Sequence, residues 1–127
     1  MTIKFHHVGI AVRSIEAAID DFGCSLRSAV VSDVISDAQL GVKLCLITFR
    51  EGGSLELVSG TPVESFLVKG SPIYHICFEC ESVEYFLRNF SGICIPLSKK
   101  TGAKLFNNRN VQFFNTPLGI IEVLECS

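Results

Sequence analysis

Two stretches of the chain carry the same succession of apolar and polar positions. Residues 7–22 read HVGIAVRSIEAAIDDF and residues 75–90 read HICFECESVEYFLRNF. Val8 matches Ile76, Ile10 matches Phe78, Ser14 matches Ser82 and Glu16 matches Glu84. Each stretch opens with the alternation expected of a strand. Each then meets a Ser, a residue that caps helix N-termini. Each continues with apolar residues at helical spacing, at 15, 18, 19 and 22 in one and 83, 86, 87 and 90 in the other. The chain therefore reads as two copies of one unit, offset by 68 residues (75 minus 7).

Strand-like runs broken by turn residues follow each helix. In the first copy they cover 28–35, 42–49 and 54–58, with Gly52-Gly53 as a hairpin turn. In the second they cover 93–97, a weaker run at 103–106 merging into 111–114, and 120–124, with the turn Thr116-Pro117-Leu118-Gly119 before the last. Each copy thus predicts βαβββ, and the fold class is α+β. The expected organisation is one domain over 1–127, with a module at about 1–60, a linker at 61–71 carrying a short helix near 63–69, and a module at about 72–127.

Composition narrows the classes of function. The 127 residues are 48% hydrophobic and 19% charged, enough apolar material for a core. A net charge of −2 argues against a nucleic-acid partner, which calls for a basic excess. The longest apolar runs fall far short of the ~20 residues of a membrane span. The N-terminal residues form no signal-like apolar run, so a cytoplasmic protein is expected. The mean hydropathy of +0.42 is high for a chain this small, and a homodimer that covers apolar surface is expected. The six cysteines are expected to be reduced, as small hydrophobes. Cys77 and Cys80 form a C-x-x-C, but on a strand they point to opposite faces and cannot grip one ion.

The repeat also places chemistry at matching positions. His7 and His75 open the two copies, and Glu56 and Glu122 sit in their last strands, 66 residues apart (122 minus 56). Both glutamates interrupt apolar runs, where an unpaired buried carboxylate is costly. Taken singly, each has an ordinary explanation: a solvated sheet face or a satisfied core histidine. Taken together, two neutral imidazoles and two carboxylates suit one divalent transition ion, whereas without it the carboxylates repel. Zinc, cobalt, nickel and manganese all accept such a donor set. His6 falls on the opposite strand face from His7 and is left outside the set.

The runs His6-His7-Val8-Gly9-Ile10-Ala11-Val12, Phe66-Leu67, Tyr74-His75-Ile76-Cys77-Phe78-Glu79 and Gly119-Ile120-Ile121-Glu122 resemble the vicinal oxygen chelate superfamily over the whole chain, and most nearly its methylmalonyl-CoA epimerase subgroup. The resemblance implies that the paired βαβββ units form a cupped mixed sheet with one central metal site held by His7, Glu56, His75 and Glu122. It implies a metal-dependent isomerase or epimerase that abstracts a proton next to a carbonyl, with Glu122 as a base and an acyl-CoA or carrier-bound thioester as substrate. The subgroup's second base falls at Gln39, which cannot accept a proton usefully and can only hydrogen-bond a substrate. Asp37 would share its face if the strand continued. Two alternatives stay open: a glyoxalase I-like lyase acting on a thiol adduct, which the Glu at 56 favours, and a non-catalytic small-molecule binding protein. Finally, Lys99, Lys100, Lys104 and Arg109 cluster next to Thr101-Gly102. They form either a rim for a substrate phosphate or carboxylate, with Lys104 and Arg109 as its contacts, or an ordinary solvated loop.

Overall fold

The computed structural model describes residues 2–127 and contains ten strands and three α-helices among them. It divides into two units: a first of residues 8–74, and a second of the residues up to 7 with 75–127. Strand β1 (Lys4–Ala11) serves both, its first half belonging to the second unit and its last four residues to the first.

In the first unit the chain leaves β1 at Ser14, whose hydroxyl accepts from the Ala17 amide at 3.2 Å and starts α1 (Ile15–Phe22). The helix stops at Gly23, whose positive φ of 55° suits a residue without Cβ. Ile15 is buried, and Ala18, Ile19 and Phe22 pack with it on Cys45, Ile47 and Leu57, so the helical period found in the sequence is the face that meets the sheet. Those partners lie on β4 (Val42–Phe49) and β5 (Ser54–Gly60). The strand order is β2 (Ala29–Val31), β4, β5, β1, with β3 (Ile35–Asp37) also paired to β4. β5 runs parallel to β1, while β4 is antiparallel to β2, β3 and β5.

The single strand expected at 28–35 is split. A 3-10 helix occupies Gly23–Ser28, and the register on β4 changes by one residue between Val31↔Ile47 and Ile35↔Leu44. The Ser32 hydroxyl causes the break by accepting from the Leu46 amide at 2.8 Å, a bulge that sequence alternation does not reveal. The stretch expected as a linker packs inside this unit instead. Thr61–Val63 forms a 3-10 turn, α2 covers Glu64–Val68, and Val63, Phe66 and Leu67 join Ala11, Val42 and Val58 in one apolar cluster.

The second unit repeats the plan. β6 (Ile73–Cys80) leads to Ser82, whose hydroxyl accepts from the Tyr85 amide at 3.0 Å and caps α3 (Val83–Asn89). Val83 and Phe86 bury against Cys80, Phe114, Ile121 and Val123. The strand order is β6, β10 (Gly119–Glu125), β9 (Arg109–Thr116), β7 (Ile95–Pro96), with β8 (Thr101–Ala103) also on β9. β10 is parallel to β6 and antiparallel to β9. The run expected to continue from 103 into 111 is interrupted. Lys104–Phe106 makes a 3-10 turn, and Asn107 and Asn108 take left-handed φ values of 56° and 60°, which Asn tolerates better than most residues. That turn carries the Phe106 ring to His6 and His7.

Candidate metal centre

Three polar side chains of the second unit meet in its interior. His7 comes from the first half of β1, His75 from β6 and Glu122 from β10. The parallel register sets Glu122 opposite Cys77, two residues beyond His75, so Glu122 and His75 project from the same sheet face. All three are buried, at 0%, 2% and 3% exposure. The His7 and His75 Nε2 atoms stand 3.1 Å apart. Glu122 Oε1 lies 3.1 Å from His7 Nε2 and 3.2 Å from His75 Nε2, but no hydrogen bond of acceptable geometry satisfies it.

The electrostatics follow from that crowding. Burial opposes ionisation of Glu122, yet the close approach of the His7 and His75 ring nitrogens outweighs it and holds the carboxyl at about 2, below its ordinary 4.5. The group is therefore a carboxylate at neutral pH. Three lone-pair donors then converge with one of them lacking a proper partner. Donors that share an ion at about 2.0–2.2 Å must lie within about 4 Å of one another, and these three do. The residues fit a divalent ion, and a set of two imidazole nitrogens and a carboxylate oxygen suits zinc, cobalt, nickel or manganese.

The surroundings are aromatic. Phe106 stacks on the His7 ring with 5.4 Å between centroids, and Phe113 meets His75 edge-on at 5.3 Å. His6 is not turned away as strand alternation predicts. Its Nδ1 lies 2.8 Å from His7 Nδ1, and its ring packs edge-on against both His7 and Phe106. His6, His7 and the buried Cys77 each offer a ligand-type atom within 4.8 Å of the others. The position of Cys77, two residues after His75 on one strand face, was a signal available in the sequence; the reach of His6 was not.

The other candidates lie as follows. Glu56 is a buried residue of the first unit on β5, opposite Gly9 in the parallel register with β1. Gln39 is exposed in the turn after β3, not on a strand face shared with Asp37. The buried Asp37 carboxylate accepts from the Gln39 and Leu40 amides at 3.1 and 3.2 Å, which ends the strand and forms the turn. Arg109 is not a free rim cation: it pairs with Glu79 at 2.7 Å. Lys100 is taken by Glu84 and Glu125 at 3.1 and 2.9 Å. Lys104 stays exposed on the turn before β9. Among the described residues no disulfide joins any of the six cysteines.

The sequence profile of the Glyoxalase/Bleomycin resistance protein/Dioxygenase superfamily matches residues 6–113. The chain belongs to that superfamily. The match takes in His6, His7, Glu56 and His75 and ends before Glu122. None of the curated proteins matches the chain in sequence. Among solved structures, a hypothetical protein from Bacillus halodurans C-125 is 22% identical at a TM-score of 0.77, over 100% of this chain and 96% of that one. The methylmalonyl-CoA epimerase of Mycobacterium tuberculosis is 17% identical at a TM-score of 0.76, over 98% and 88%. A methylmalonyl-CoA epimerase in complex with methylmalonyl-CoA and NH4+ is 15% identical at 0.73, over 98% and 95%. At these identities the likeness shows a shared fold, that of the vicinal oxygen chelate superfamily.

Proposed function

We propose that the protein is a metal-dependent isomerase or lyase that removes a proton next to a carbonyl, most simply from an acyl thioester. The observation that carries this reading is the convergence of His7, His75 and Glu122 around a buried carboxylate oxygen without a proper partner. Glu56 is proposed as the fourth ligand. It occupies in the first unit the place Glu122 has in the second: Glu56 stands opposite Gly9 and Glu122 opposite Cys77, each two residues beyond a copy-opening His.

A divalent ion bound by these residues supplies Lewis acidity at the substrate's carbonyl oxygen. His7 and His75 would hold it as neutral imidazoles, with the Phe106 and Phe113 rings packed against theirs. Glu122 is proposed as the proton acceptor. The His7 and His75 rings keep Glu122 ionised, so it offers a lone pair to a proton at the buried centre. Gln39, exposed in its turn and without a titratable group, supplies no second base, so we assign the chemistry to one face of the substrate.

The epimerases of the same fold support an acyl-CoA or carrier-bound thioester as substrate, with the exposed Lys104 as the contact for a phosphate. Exposed Ile93, Ile95 and Leu97 around the edge strand β7, at 73%, 56% and 52%, support a homodimer. A glyoxalase I-like lyase on a thiol adduct is the second reading, favoured by a carboxylate rather than an amide at 56. Incubation of the metal-loaded protein with methylmalonyl-CoA in deuterated water tests the first. Deuterium entering the α-carbon supports it. No exchange contradicts the thioester reading, and turnover of a glutathione hemithioacetal would then establish the second.

A further inference from the structure

A histidine that binds a cation through Nε2 must carry its ring proton on Nδ1, and that proton needs an acceptor. His7 turns Nε2 toward His75 and Glu122, so its other nitrogen is the informative one. That nitrogen faces His6 Nδ1 at 2.8 Å, a distance at which one ring donates and the other accepts. Acceptance by His7 would leave the N–H on its Nε2, where it would displace the lone pair from the ion site. The only arrangement consistent with Nε2 ligation is therefore His7 Nδ1–H donating to His6 Nδ1, with the His6 proton on Nε2.

We propose that His6 is a positioning residue for the metal site, accepting the His7 Nδ1 proton and so fixing both the tautomer and the rotation of the His7 ring. The inference rests on the metal-site reading above. The usual partner in this place is a carboxylate, a backbone carbonyl or water. An imidazole does the same work without adding negative charge beside Glu122. Phe106 makes the arrangement stiff. Its ring lies flat on His7, with 22° between planes, and perpendicular to His6, at 89°, so one apolar side chain locks both histidines. Strand alternation would separate two consecutive side chains; here the His6 ring bends back to its neighbour, which is a geometry that sheet formation does not require.

The test is zinc affinity by chelator competition on the purified full chain, with nitrogen NMR of the zinc-loaded protein. His6→Phe keeps a packed ring but removes the acceptor, and it should weaken zinc binding by about 10–100-fold. His6→Asn offers an amide oxygen close to the place of Nδ1 and should restore most of the affinity. The wild-type spectrum should show a protected His7 Nδ1 proton with nitrogen–nitrogen coupling across the hydrogen bond to His6. Unchanged zinc affinity in His6→Phe, or a proton on His6 Nδ1, overturns this inference and leaves the metal site standing. A wild type that takes up no zinc overturns both. The coupling needs no variant, so a misfolded substitution does not blunt the test.

Discussion

The two units are built on one plan, and they differ most where their helices start. In the second unit the Glu125 carboxylate reaches the first turn of α3, accepting from the Val83 amide at 2.8 Å, and is held by Asn110 at 3.2 Å and Lys100 at 2.9 Å. The matching position in the first unit, three residues after Glu56 as Glu125 is three after Glu122, is Ser59. Ser59 makes no such contact with α1. A cleft of about 540 Å³ lies there instead, lined by Arg13, Ser14, Ser59, Gly60 and Glu64 among others. The chemistry is also unequal. The second unit gathers two histidines and a carboxylate within 3.2 Å, while the first holds a single buried acid, Glu56, at the matching strand position. A duplicated unit therefore keeps its helix caps and strand registers while one copy is stapled and chemically loaded and the other stays open.

The largest expected effect concerns the unequal ligands. Glu122→Gln should reduce zinc affinity by more than about 100-fold, because it removes the only charged donor of the second unit. Glu56→Gln should cost less, about 10-fold, since it leaves the carboxylate beside His7 and His75 in place. Equal losses, measured by chelator competition, would erase the chemical inequality between the units. Next comes the staple. Glu125→Ala should destabilise the protein by about 1–3 kcal/mol, since it strips a charged acceptor from a buried amide. Ser59→Ala should cost well under that, and urea unfolding of the two variants compares them directly. The third effect is the pH dependence. A carboxylate depressed in the folded state contributes stability that is complete above its ordinary 4.5 and is lost as pH falls toward about 2. Metal-free wild type should therefore lose stability across that window more steeply than metal-free Glu122→Gln, read as melting temperature against pH. The smallest effect should be symmetrical: Ser14→Ala and Ser82→Ala remove equivalent caps and should each cost about 1 kcal/mol.

Much of this was legible in the sequence because it is local or repeated. Ser14 and Ser82 announced both helices, the apolar spacing gave the buried faces, and the matching offset singled out His7, His75 and Glu122, which the second unit gathers. What stayed hidden is non-local. Ser32 interrupts a strand only because the Leu46 amide lies across from it. Asp37 ends β3 by binding the amides of the turn, which takes Gln39 off the strand. Arg109 is claimed by Glu79, thirty residues away. His6 turns toward His7 beside Phe106, a hundred residues on, whose ring packs against both. Each of these depends on a partner that strand alternation cannot supply.

The central claim is that His7, His75 and Glu122 form the heart of a metal site. Equilibrium dialysis of the purified, metal-free chain against cobalt(II), followed by metal analysis and the visible spectrum, tests it most directly. One ion per chain is expected, with a spectrum typical of nitrogen and oxygen ligands, and loss of both in His75→Ala and Glu122→Gln. A wild type that retains no cobalt, or retains it equally in both variants, contradicts it.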